Sequence, residues 1–592
     1  MTERAPWRRV AFAVAAGFPF VFLAAFVAYP LWQEIGGSFS GWYQLKPHGF
    51  EGAKNYMALF NDVVARVAAL HSLFYLLLTV PAEVALGLAA AWMTLRVKRG
   101  QGLLAAVFLL PLAVPWTVAG TLFYGLFNIH GVADQLSQDV FGGGSSFEWF
   151  EHPRLAFGVI VVFGIWKGAP WCFLLLLGAL SACPEEVFEA ARIDGARGFS
   201  FWYRVVVPAV RPMLVFVIVL RLIAEAQTYN SVAMLTNGGP SFPGATELVG
   251  FYANVLAFGY YNFGEASAMG TLIGAVLVVV AVGGWMLAFR RDGPRRRWFR
   301  GAGATAATSS TSLLHRARQR SSRMWPRSLS GDPGPARGTL RHSMRWAKRS
   351  RWVLLTVMVL LVLLPFAGEA PFWQGRNELA GTAWPAVKTG VWNTLILSAA
   401  TLVGTLVLAV PAAYFLAYKQ SRWRGVLFVF VLFTLAVPGI IFILPQFEEI
   451  VWLGLVNTRT GIVVLYITAN LPLAVFFLRP AFASVPKPLV EAMRVDGASS
   501  LGVLRRLILR LSTSTIVALS VLMVVWVWGE LPIAEAVLNS TNQSAGTLPL
   551  LLLNGGIGNP NAVYLISLGA PLVLFLAANR YFRRGLMSQS LL

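Results

Sequence analysis

Twelve stretches of the sequence are long and apolar enough to cross a lipid bilayer, and this feature restricts the fold more than any other. A helix that crosses the hydrocarbon core needs roughly 20 mostly apolar residues, because its backbone polar groups find no water there. The chain is 57% hydrophobic and only 12% charged, which excludes the soluble globular and disordered classes. The sequence therefore predicts an all-α membrane protein. The spans are expected near residues 10–33, 67–95, 103–128, 155–183, 212–236, 265–289, 352–370, 389–418, 425–450, 460–481, 512–531 and 561–580.

The predicted spans form two sets of six on either side of a basic segment, residues 290–351. This segment contains 17 of the 48 lysines and arginines and only two acids. Its Gly, Ser, Pro and Arg composition cannot bury enough apolar surface to fold. We therefore divide the chain into a first half (1–289), a disordered linker (290–351) and a second half (352–592). Binding of anionic lipid headgroups by the linker arginines is an alternative that the sequence leaves open.

The basic residues also predict the orientation of the chain. Lysine and arginine collect on the cytoplasmic side of membrane proteins. With the N-terminus inside, 39 of the 48 basic residues are cytoplasmic, seven are external and two lie within spans. Both termini and the linker are then cytoplasmic. The net charge of +22 arises mainly from the linker, so it does not indicate a nucleic-acid partner.

The N-terminus and the cysteines add little. The first apolar run extends past Pro30, which is too long for a cleaved signal peptide, so we expect a retained span. Cys172 and Cys183 lie on one predicted helix at a separation of about 16 Å, too far apart for a disulfide. No residue spacing is typical of metal ligands, and we expect neither a metal nor a cofactor bound by this chain.

A repeated cytoplasmic loop between the fourth and fifth spans of each half carries the strongest functional signal. Residues 184–208 (PEEVFEAARIDGARGFSFWYRVVVP) and 486–510 (PKPLVEAMRVDGASSLGVLRRLILR) align with an offset of 302 positions and are identical at eight of 25. Each copy predicts a helix, a turn and a helix, because the Glu-Ala run favours a helix and the glycine permits the positive φ that ends it. A simple connector would have no reason to occur twice.

We predict that both loops dock a partner protein. Small alanines allow a partner surface to approach closely, and the carboxylates can meet its cations. The docking residues are Glu189, Ala190, Ala191, Asp194 and Gly195 in the first loop, with Glu491, Ala492, Asp496 and Gly497 in the second.

The loops resemble the EAA loop of the inner-membrane components of binding-protein-dependent ABC importers. That loop reads E-A-A-x-x-x-G, followed after nine residues by I-x-L-P. The first loop has the E-A-A and the glycine at 189–195 and the proline at Pro208. In the second loop Met493 replaces the second alanine and Arg510 the closing proline, and the effect of these departures on docking is left open.

Further stretches resemble the carbohydrate-uptake, maltose-type branch of that family. They are G-x-x-N-Y at 52–56, L-F-N at 126–128, T-N-G-G-P at 236–240 and W-G-E-L at 528–531. The resemblance covers nearly the whole chain. It implies the type I ABC importer permease fold, with two homologous six-helix halves fused in one chain and about 12 transmembrane helices.

The resemblance also implies the partners. These are a cytoplasmic ABC ATPase dimer that holds ATP and Mg, an external solute-binding protein, the bilayer of a bacterial inner membrane and a sugar or oligosaccharide that crosses by alternating access. The sequence has no G-x-x-x-x-G-K-[ST] phosphate loop, so we do not expect this chain to be an enzyme.

Polar residues within the spans are predicted to mark the substrate pathway, because a charge at a helix centre costs roughly 2.5–3.5 kcal/mol to insert. Glu83, Lys167, Arg221 and Glu225 are such charges. Arg221 and Glu225 lie four apart on one helix face, so the alternative is that they neutralise each other. Nearby aromatic and amide side chains suit a sugar, although tryptophan and tyrosine also collect at membrane interfaces. The predicted pathway residues are Trp166, Lys167, Arg221, Glu225, Tyr229, Asn230, Asn470, Trp526 and Glu530.

Two other functions fit part of the sequence. A secondary transporter with 12 spans also has two six-span halves, but its signature loop follows the second span, where this chain has only residues 96–100. A fused ABC permease for iron or thiamine is the closer rival. The I-D-G-A stretch at 193–196 and the T-N-G-G-P stretch favour a sugar over it.

Overall fold

The computed structural model describes most of both halves. It describes residues 6–43, 46–97, 100–129, 131–141, 148–196, 198–240, 244–289, 356, 359–360, 362–363, 384–419, 421–436, 439–538, 546–553 and 566–578. The predicted linker, 290–351, and most of the predicted span 352–370 lie outside these residues.

Helices form nearly all of the described first half. Between the second and third helices stands a small antiparallel sheet of β1 (Ser40–Tyr43) and β2 (Lys46–Phe50), in which Tyr43 pairs with Lys46. The helices are α1 (Pro6–Leu23), α2 (Tyr29–Ser38), α3 (Lys54–Asn61), α4 (Val63–Arg96), α5 (Gln101–Ala113), α6 (Trp116–Phe127), α7 (Val132–Phe141), α8 (Pro153–Ser181), α9 (Glu185–Ile193), α10 (Gly198–Phe201), α11 (Val207–Ala226), α12 (Asn230–Leu235), α13 (Val249–Asn254) and α14 (Phe263–Phe289). Short π-helical turns at Ala24–Ala28, Trp202–Val206 and Val255–Gly259 continue α1, α10 and α13.

The described second half is also helical. Its helices are α15 (Trp384–Tyr418), α16 (Arg424–Ala436), α17 (Gly439–Trp452), α18 (Arg459–Ala483), α19 (Lys487–Val495), α20 (Ser500–Val503), α21 (Leu509–Leu511), α22 (Thr513–Gly529), α23 (Pro532–Val537), α24 (Leu548–Leu553) and α25 (Ile566–Ala578). A π-helical turn at Leu504–Ile508 joins α20 to α21. The order of elements around α19 therefore repeats the order around α9.

The predicted spans correspond to long helices, but several of them are broken. Within the described residues seven helices are long and apolar enough to cross a membrane, and two bent pairs raise this number to nine. The third predicted span consists of α5 and α6. The angle between α5 and the helical stretch Trp116–Asp139 is 96°. Pro115 explains this break, because a proline disfavours the helical conformation of the residue before it, and Val114 is extended.

The span predicted at 212–236 is also two helices, since α11 ends at Ala226 and α12 begins at Asn230. Similarly, the segment predicted at 425–450 contains α16 and α17. Average hydropathy does not show such interruptions, because each predicted segment as a whole remains apolar. The last predicted span, 561–580, is represented by the shorter helix α25.

The two halves are built around equivalent helix pairs. In the first half α4 packs along α8, and in the second half α15 packs along α18. Each pair joins the second and fourth spans of its half, and the small residues Gly87 and Gly404 allow close approach, since a Cβ at either one would collide with the facing helix. The internal repeat therefore extends from the two repeated loops to the packing of the bundle.

The first helices of the chain pack against the second half. Phe20, Leu23 and Val27 belong to the same buried cluster as Ala409 and Ala413 of α15. The neighbouring helix α2 packs on α17, and Gln446 Nε2 donates a hydrogen bond of 2.8 Å to the Phe26 carbonyl oxygen. The N-terminal helices of the first half therefore pack directly on helices of the second half.

Candidate functional site

A cavity of about 290 Å³ lies between the two halves, around the ends of α11 and α22. Both halves contribute to its wall, which combines aromatic rings with polar side chains. The lining residues are Trp116, Arg221, Ala224, Glu225, Gln227, Thr228, Tyr229, Asn230, Gly439, Ile443, Ala469, Trp526, Gly529, Glu530, Pro532 and Ile533. Six of the nine predicted pathway residues are therefore brought together here: Arg221, Glu225, Tyr229, Asn230, Trp526 and Glu530.

The cavity has an internal pseudo-symmetry. Four pairs of lining residues lie 302 positions apart, the offset that also relates the two predicted docking loops, and α12 and α23 begin at positions with the same offset. These pairs are Ala224 with Trp526, Gln227 with Gly529, Thr228 with Glu530, and Asn230 with Pro532. Equivalent backbone segments thus carry unlike side chains. The first half supplies amides and a hydroxyl, and the second supplies an indole, a glycine and a carboxylate.

A buried ion cluster forms one side of the cavity. Arg221 Nε donates to Glu83 Oε2 at 2.7 Å, and Arg221 Nη2 donates to Glu83 Oε1 at 3.2 Å. The same Nη2 forms an ion pair with Glu225, as the spacing of four residues predicts. All three side chains are buried. Arg221 therefore joins α11 to α4 and is shared by two carboxylates.

Neutral groups complete this cluster. Tyr75 Oη donates to Glu225 Oε2 at 2.7 Å, and Thr228 Oγ1 donates to the same oxygen at 3.0 Å. Gly168 of α8 leaves room for the cluster, because a Cβ at this position would collide with the side chains of Glu83 and Arg221. Every charged group of the cluster is thus held by protein partners, as buried charges require.

Two hydrogen bonds connect the halves beside the cavity. Tyr229 Oη donates to Glu535 Oε2 at 2.8 Å, and Gln227 Oε1 accepts from the Gly439 backbone N–H at 2.6 Å. Tyr229 also stacks on Phe251, with ring centres 5.7 Å apart. These bonds hold the end of α11 against α17 and α23.

Glu530 has a structural role that its sequence position does not reveal. Its Oε1 accepts from the Ile533 N–H at 2.7 Å, and its Oε2 accepts from the Ala534 N–H at 3.2 Å. Both donors lie in the first turn of α23, where backbone N–H groups lack helical partners. The carboxylate therefore caps α23 while it lines the cavity.

Three predicted pathway residues lie outside the cavity lining. Lys167 Nζ donates to the Pro111 carbonyl oxygen at 2.7 Å and also to that of Val114. These carbonyls flank the break between α5 and α6, so the lysine satisfies acceptors that the break exposes. Trp166 Nε1 donates to the Val362 carbonyl oxygen at 3.0 Å, and Asn470 Nδ2 donates to the Tyr466 carbonyl oxygen at 2.9 Å.

The cavity residues that sequence reasoning missed include Trp116, Gln227, Thr228 and Gly439. A signal for two of them was present, because Gln227 and Thr228 occupy the positions equivalent to Gly529 and Glu530 in the repeat. Trp116 and Gly439 are instead the first residues of α6 and α17, and their sequence positions do not reveal that these helix ends lie at the cavity.

The first predicted docking loop begins with α9, which is anchored by one aromatic residue. Phe188 is buried and meets Trp92 at the end of α4, with ring centres 5.2 Å apart. Trp92 also contacts Phe201 at 5.4 Å, and Arg96 covers the Trp92 ring at 4.1 Å. The opposite face of the helix, which includes Glu189, is exposed.

The second predicted docking loop begins with α19 and has an aliphatic anchor. Val490, the equivalent of Phe188, is buried and belongs to the same cluster as Val503, Leu504 and Tyr414. The face of α19 that includes Glu491 is exposed. The two loops are thus attached to different cores by different chemistry.

Despite these different anchors and unlike first turns, both loops expose the same motif residues. Ile193 and Val495, at equivalent positions, are 86% and 87% exposed. The glutamate, the first alanine, the aspartate and the glycine of each motif are also exposed. The motif glycines Gly195 and Gly497 have φ angles of +82° and +83°. Each outer face is an aliphatic side chain beside two carboxylates.

The second loop departs from the family motif at Met493 and Arg510, and neither residue changes the exposed motif residues. Met493 and its equivalent Ala191 are both partly buried against the core of their own half. Arg510 and its equivalent Pro208 are both exposed. The outer face of the second loop is therefore unchanged by the methionine.

Within the described residues, no three His, Cys, Asp or Glu side chains come together as a metal site would require.

The sequence matches a known family in both halves. The profile of the family described as "Binding-protein-dependent transport system inner membrane component" matches residues 83–292 and again residues 406–587. The chain belongs to this family. It is a multi-pass inner-membrane permease of the ABC importer class, which excludes the secondary transporter. Each match contains one of the two docking loops.

Relatives of the permease include sugar transport proteins. The trehalose/maltose transport system permease protein MalF of Thermococcus litoralis is 32% identical over 259 residues, which are 42% of this chain and 81% of that protein. The sulfoquinovosyl glycerol transport system permease protein SmoG of Agrobacterium fabrum is 27% identical over 252 residues, 42% of this chain and 81% of that protein. Each alignment has about the length of one half.

A solved structure of a bacterial ABC transporter involved in the import of the acidic polysaccharide alginate aligns with 46% of this permease and 92% of that chain. The identity is 18% and the TM-score is 0.39, so this likeness adds nothing to the family assignment.

Proposed function

We propose that this chain is the fused permease of a sugar importer, whose two halves enclose one pathway and are driven by separate ATPase subunits. The observation that carries this proposal is the pair of docking helices, one in each half, with the same outer face. Two equivalent faces fit a partner with two equivalent sockets, as an ATPase dimer has. ATP and Mg then bind to the ATPase dimer, and this chain binds no cofactor of its own.

In this proposal residues 1–289 and 352–592 form the two halves, and the basic linker 290–351 joins them. The docking helices, the linker and both termini lie in the cytoplasm, in agreement with the excess of basic residues there. An external solute-binding protein delivers the sugar from the opposite side of the membrane.

The cavity supports a sugar as the substrate. Its volume of about 290 Å³ is at the lower end of small-molecule pockets, roughly 300–1,000 Å³. Trp116, Trp526 and Tyr229 offer aromatic faces to the C–H surfaces of a sugar, while Asn230 offers an amide to its hydroxyls. The names of the relatives include trehalose and maltose.

Among the predicted pathway residues we therefore assign substrate contact to Tyr229, Asn230 and Trp526, with Glu530 at the wall. Arg221 and Glu225 shape the cavity through their ion cluster. Trp166, Lys167 and Asn470 bond to backbone carbonyl groups, and we assign them structural roles.

A continuous helix connects docking to the cavity. In the first half the helix from Trp202 to Ala226 contains 25 residues, a length of about 37 Å at 1.5 Å per residue. Its first end follows the docking helix α9, and its last turn lines the cavity. A push on α9 by a closing ATPase would therefore move the cavity wall, which gives a physical route for alternating access.

Charge reversal of the two docking glutamates tests this proposal. In the double variant Glu189→Lys and Glu491→Lys we expect the chain to remain in the membrane, while the ATPase no longer copurifies and sugar uptake falls to background. Both carboxylates are exposed, so their reversal leaves the cores of the two halves intact. The measurements are affinity copurification from membranes and uptake of a labelled sugar by intact cells.

The matched control is Glu151→Lys, which reverses an exposed carboxylate just before α8, at the end of that helix remote from the docking loop. This variant should retain both the ATPase and uptake. Normal uptake by the double variant would refute docking at α9 and α19. Uptake that persists in membranes free of any ATPase would refute the ATP-driven mechanism itself.

A further inference from the structure

The charge of the cavity wall restricts which sugars can occupy it, an inference that rests on the proposed function. Among the described residues that line the cavity, Arg221 is the single cationic side chain. A charge-assisted bond to a cation is the strongest way to hold the carboxylate of an acidic sugar. The charge selectivity of the cavity therefore depends on whether Arg221 is available to pair with a ligand carboxylate.

Arg221 is already neutralised by the protein. It is bonded to Glu83 through two nitrogen atoms and to Glu225 through one of them, so two carboxylates share one guanidinium. Glu225 lines the cavity beside it. A ligand anion would compete with these two carboxylates for one guanidinium, and displacement of either carboxylate would leave a buried charge without a cation, which is strongly unfavourable.

The nearest other cation is also occupied. Lys167 lies behind the cavity wall, with its amine 5.2 Å from the centre of the Trp116 ring. That amine donates to the carbonyl oxygens of Pro111 and Val114. On the opposite wall Glu530 adds a second lining carboxylate, whose two oxygens cap α23.

The groups that remain available are neutral. Asn230 lines the cavity, and its Oδ1 atom is buried without a hydrogen-bond partner in the described part of the chain. Trp526 and Trp116 add aromatic faces. An unsatisfied amide acceptor suits a hydroxyl donor, whereas it repels a carboxylate, which offers no proton.

We propose that the cavity selects uncharged saccharides and excludes acidic ones. The hydroxyl edge of the sugar meets the amide of Asn230 in the first half, and one ring face lies on the indole of Trp526 in the second half. The pseudo-symmetric positions of the cavity thus differ in chemistry because the two sides of one sugar differ.

Direct binding to the full-length chain in lipid nanodiscs tests the proposal without the selectivity of a binding protein. The probes are maltose and a mannuronic acid disaccharide, which have similar size and differ in charge. Saturation-transfer NMR titrations report the affinity of each. We expect maltose to bind at least about tenfold more tightly, since like charges in a desolvated site repel strongly.

A pair of variants isolates the charge. Asn230→Lys adds a free cation at the cavity wall, and Asn230→Met has nearly the same shape without the charge. The lysine variant should reduce the preference for maltose by about tenfold or more relative to the methionine variant. The reason is that the new ammonium group can pair with the carboxylate of the acidic disaccharide. If the lysine variant does not fold, the comparison of maltose with the acidic disaccharide in the unmodified chain still tests the preference.

The possible outcomes distinguish a failure of the charge selectivity from a failure of the proposed sugar permease function. Equal or tighter binding of the acidic disaccharide by the unmodified chain would overturn the charge selectivity and leave a sugar permease. An unchanged preference in a folded Asn230→Lys chain would also overturn it. Binding of neither disaccharide would count against the cavity as a sugar site and so against the proposed function.

Discussion

Replacement of Arg221 by methionine would leave two buried carboxylates facing each other without a cation. Glu83 and Glu225 now share the guanidinium across α4 and α11, and both are almost inaccessible to solvent. Methionine has a similar length and fills most of the same space. The variant therefore removes the charge with little change in packing.

The expected loss of stability is large. Removal of one partner from a buried ion pair costs about 3–5 kcal/mol, because the remaining charge is buried without compensation. Since every 1.4 kcal/mol is a factor of ten, the folded fraction relative to the unfolded fraction falls roughly a hundred- to several-thousand-fold. The hydrogen bonds from Tyr75 and Thr228 to Glu225 place the expected loss toward the lower end of this range.

The two cysteines of the chain offer an assay for this loss. Cys172 lies on α8 in the same buried cluster as α4 and α11 residues and is inaccessible, whereas Cys183 is partly exposed. In a Cys183→Ser background, a thiol-reactive dye should therefore react with Cys172 only when the first half opens. The temperature of half-maximal reaction measures the stability of the region around the ion cluster.

The control removes the carboxylate charges as well. In the triple variant Glu83→Gln, Arg221→Met and Glu225→Gln, no charge remains, and the amide oxygen introduced at position 225 still accepts from Tyr75. We expect this variant to recover most of the lost thermal stability. If Arg221→Met reacts at the temperature of the parent, the ion cluster does not stabilise the fold. If the triple variant is less stable than the single one, lost packing rather than unpaired charge explains the effect.

Two further predictions concern the docking turns and the broken third span. Alanine at Gly195 or at Gly497, where φ is positive, should strain the turn by about 1–2 kcal/mol and weaken ATPase copurification roughly 5- to 30-fold. The control is Gly502→Ala, whose new Cβ meets no atom closer than 3.4 Å and which should leave copurification unchanged. Equal copurification by all three variants would refute a role for turn geometry. Lys167→Met leaves two buried carbonyl groups without their donor, at about 1–3 kcal/mol each, and should lower the temperature of Cys172 labelling; an unchanged temperature would show that other donors satisfy these carbonyl groups.

The sequence predicts the membrane class, the duplicated plan and the outer face of the docking loops, because each of these depends on residues that are close together in the chain. An apolar run of about 20 residues needs no tertiary information to be recognised as a span. The motif around Glu189 recurs around Glu491, and a repeat requires only an alignment of the chain with itself. The profile matches in both halves confirm this duplication.

The cavity was predicted less completely, because it depends on contacts between distant parts of the chain. The spacing of Arg221 and Glu225 predicts their ion pair, but Glu83 joins them from 138 residues away. The hydrogen bond between Tyr229 and Glu535 spans 306 residues. Sequence periodicity does not report such distances, and the helix ends at Trp116 and Gly439 lie within apolar runs.

The position of α1 has a consequence for biosynthesis. The first helix leaves the ribosome early, but its packing surface on α15 belongs to the second half, and 420 residues separate Phe26, in the turn that continues α1, from its partner Gln446. At about 5–20 residues per second of translation, α1 waits in lipid for roughly 20–80 seconds before that surface exists. A truncated chain that ends at the linker would keep this helix exposed for its lifetime, which makes it a substrate for membrane quality-control proteases.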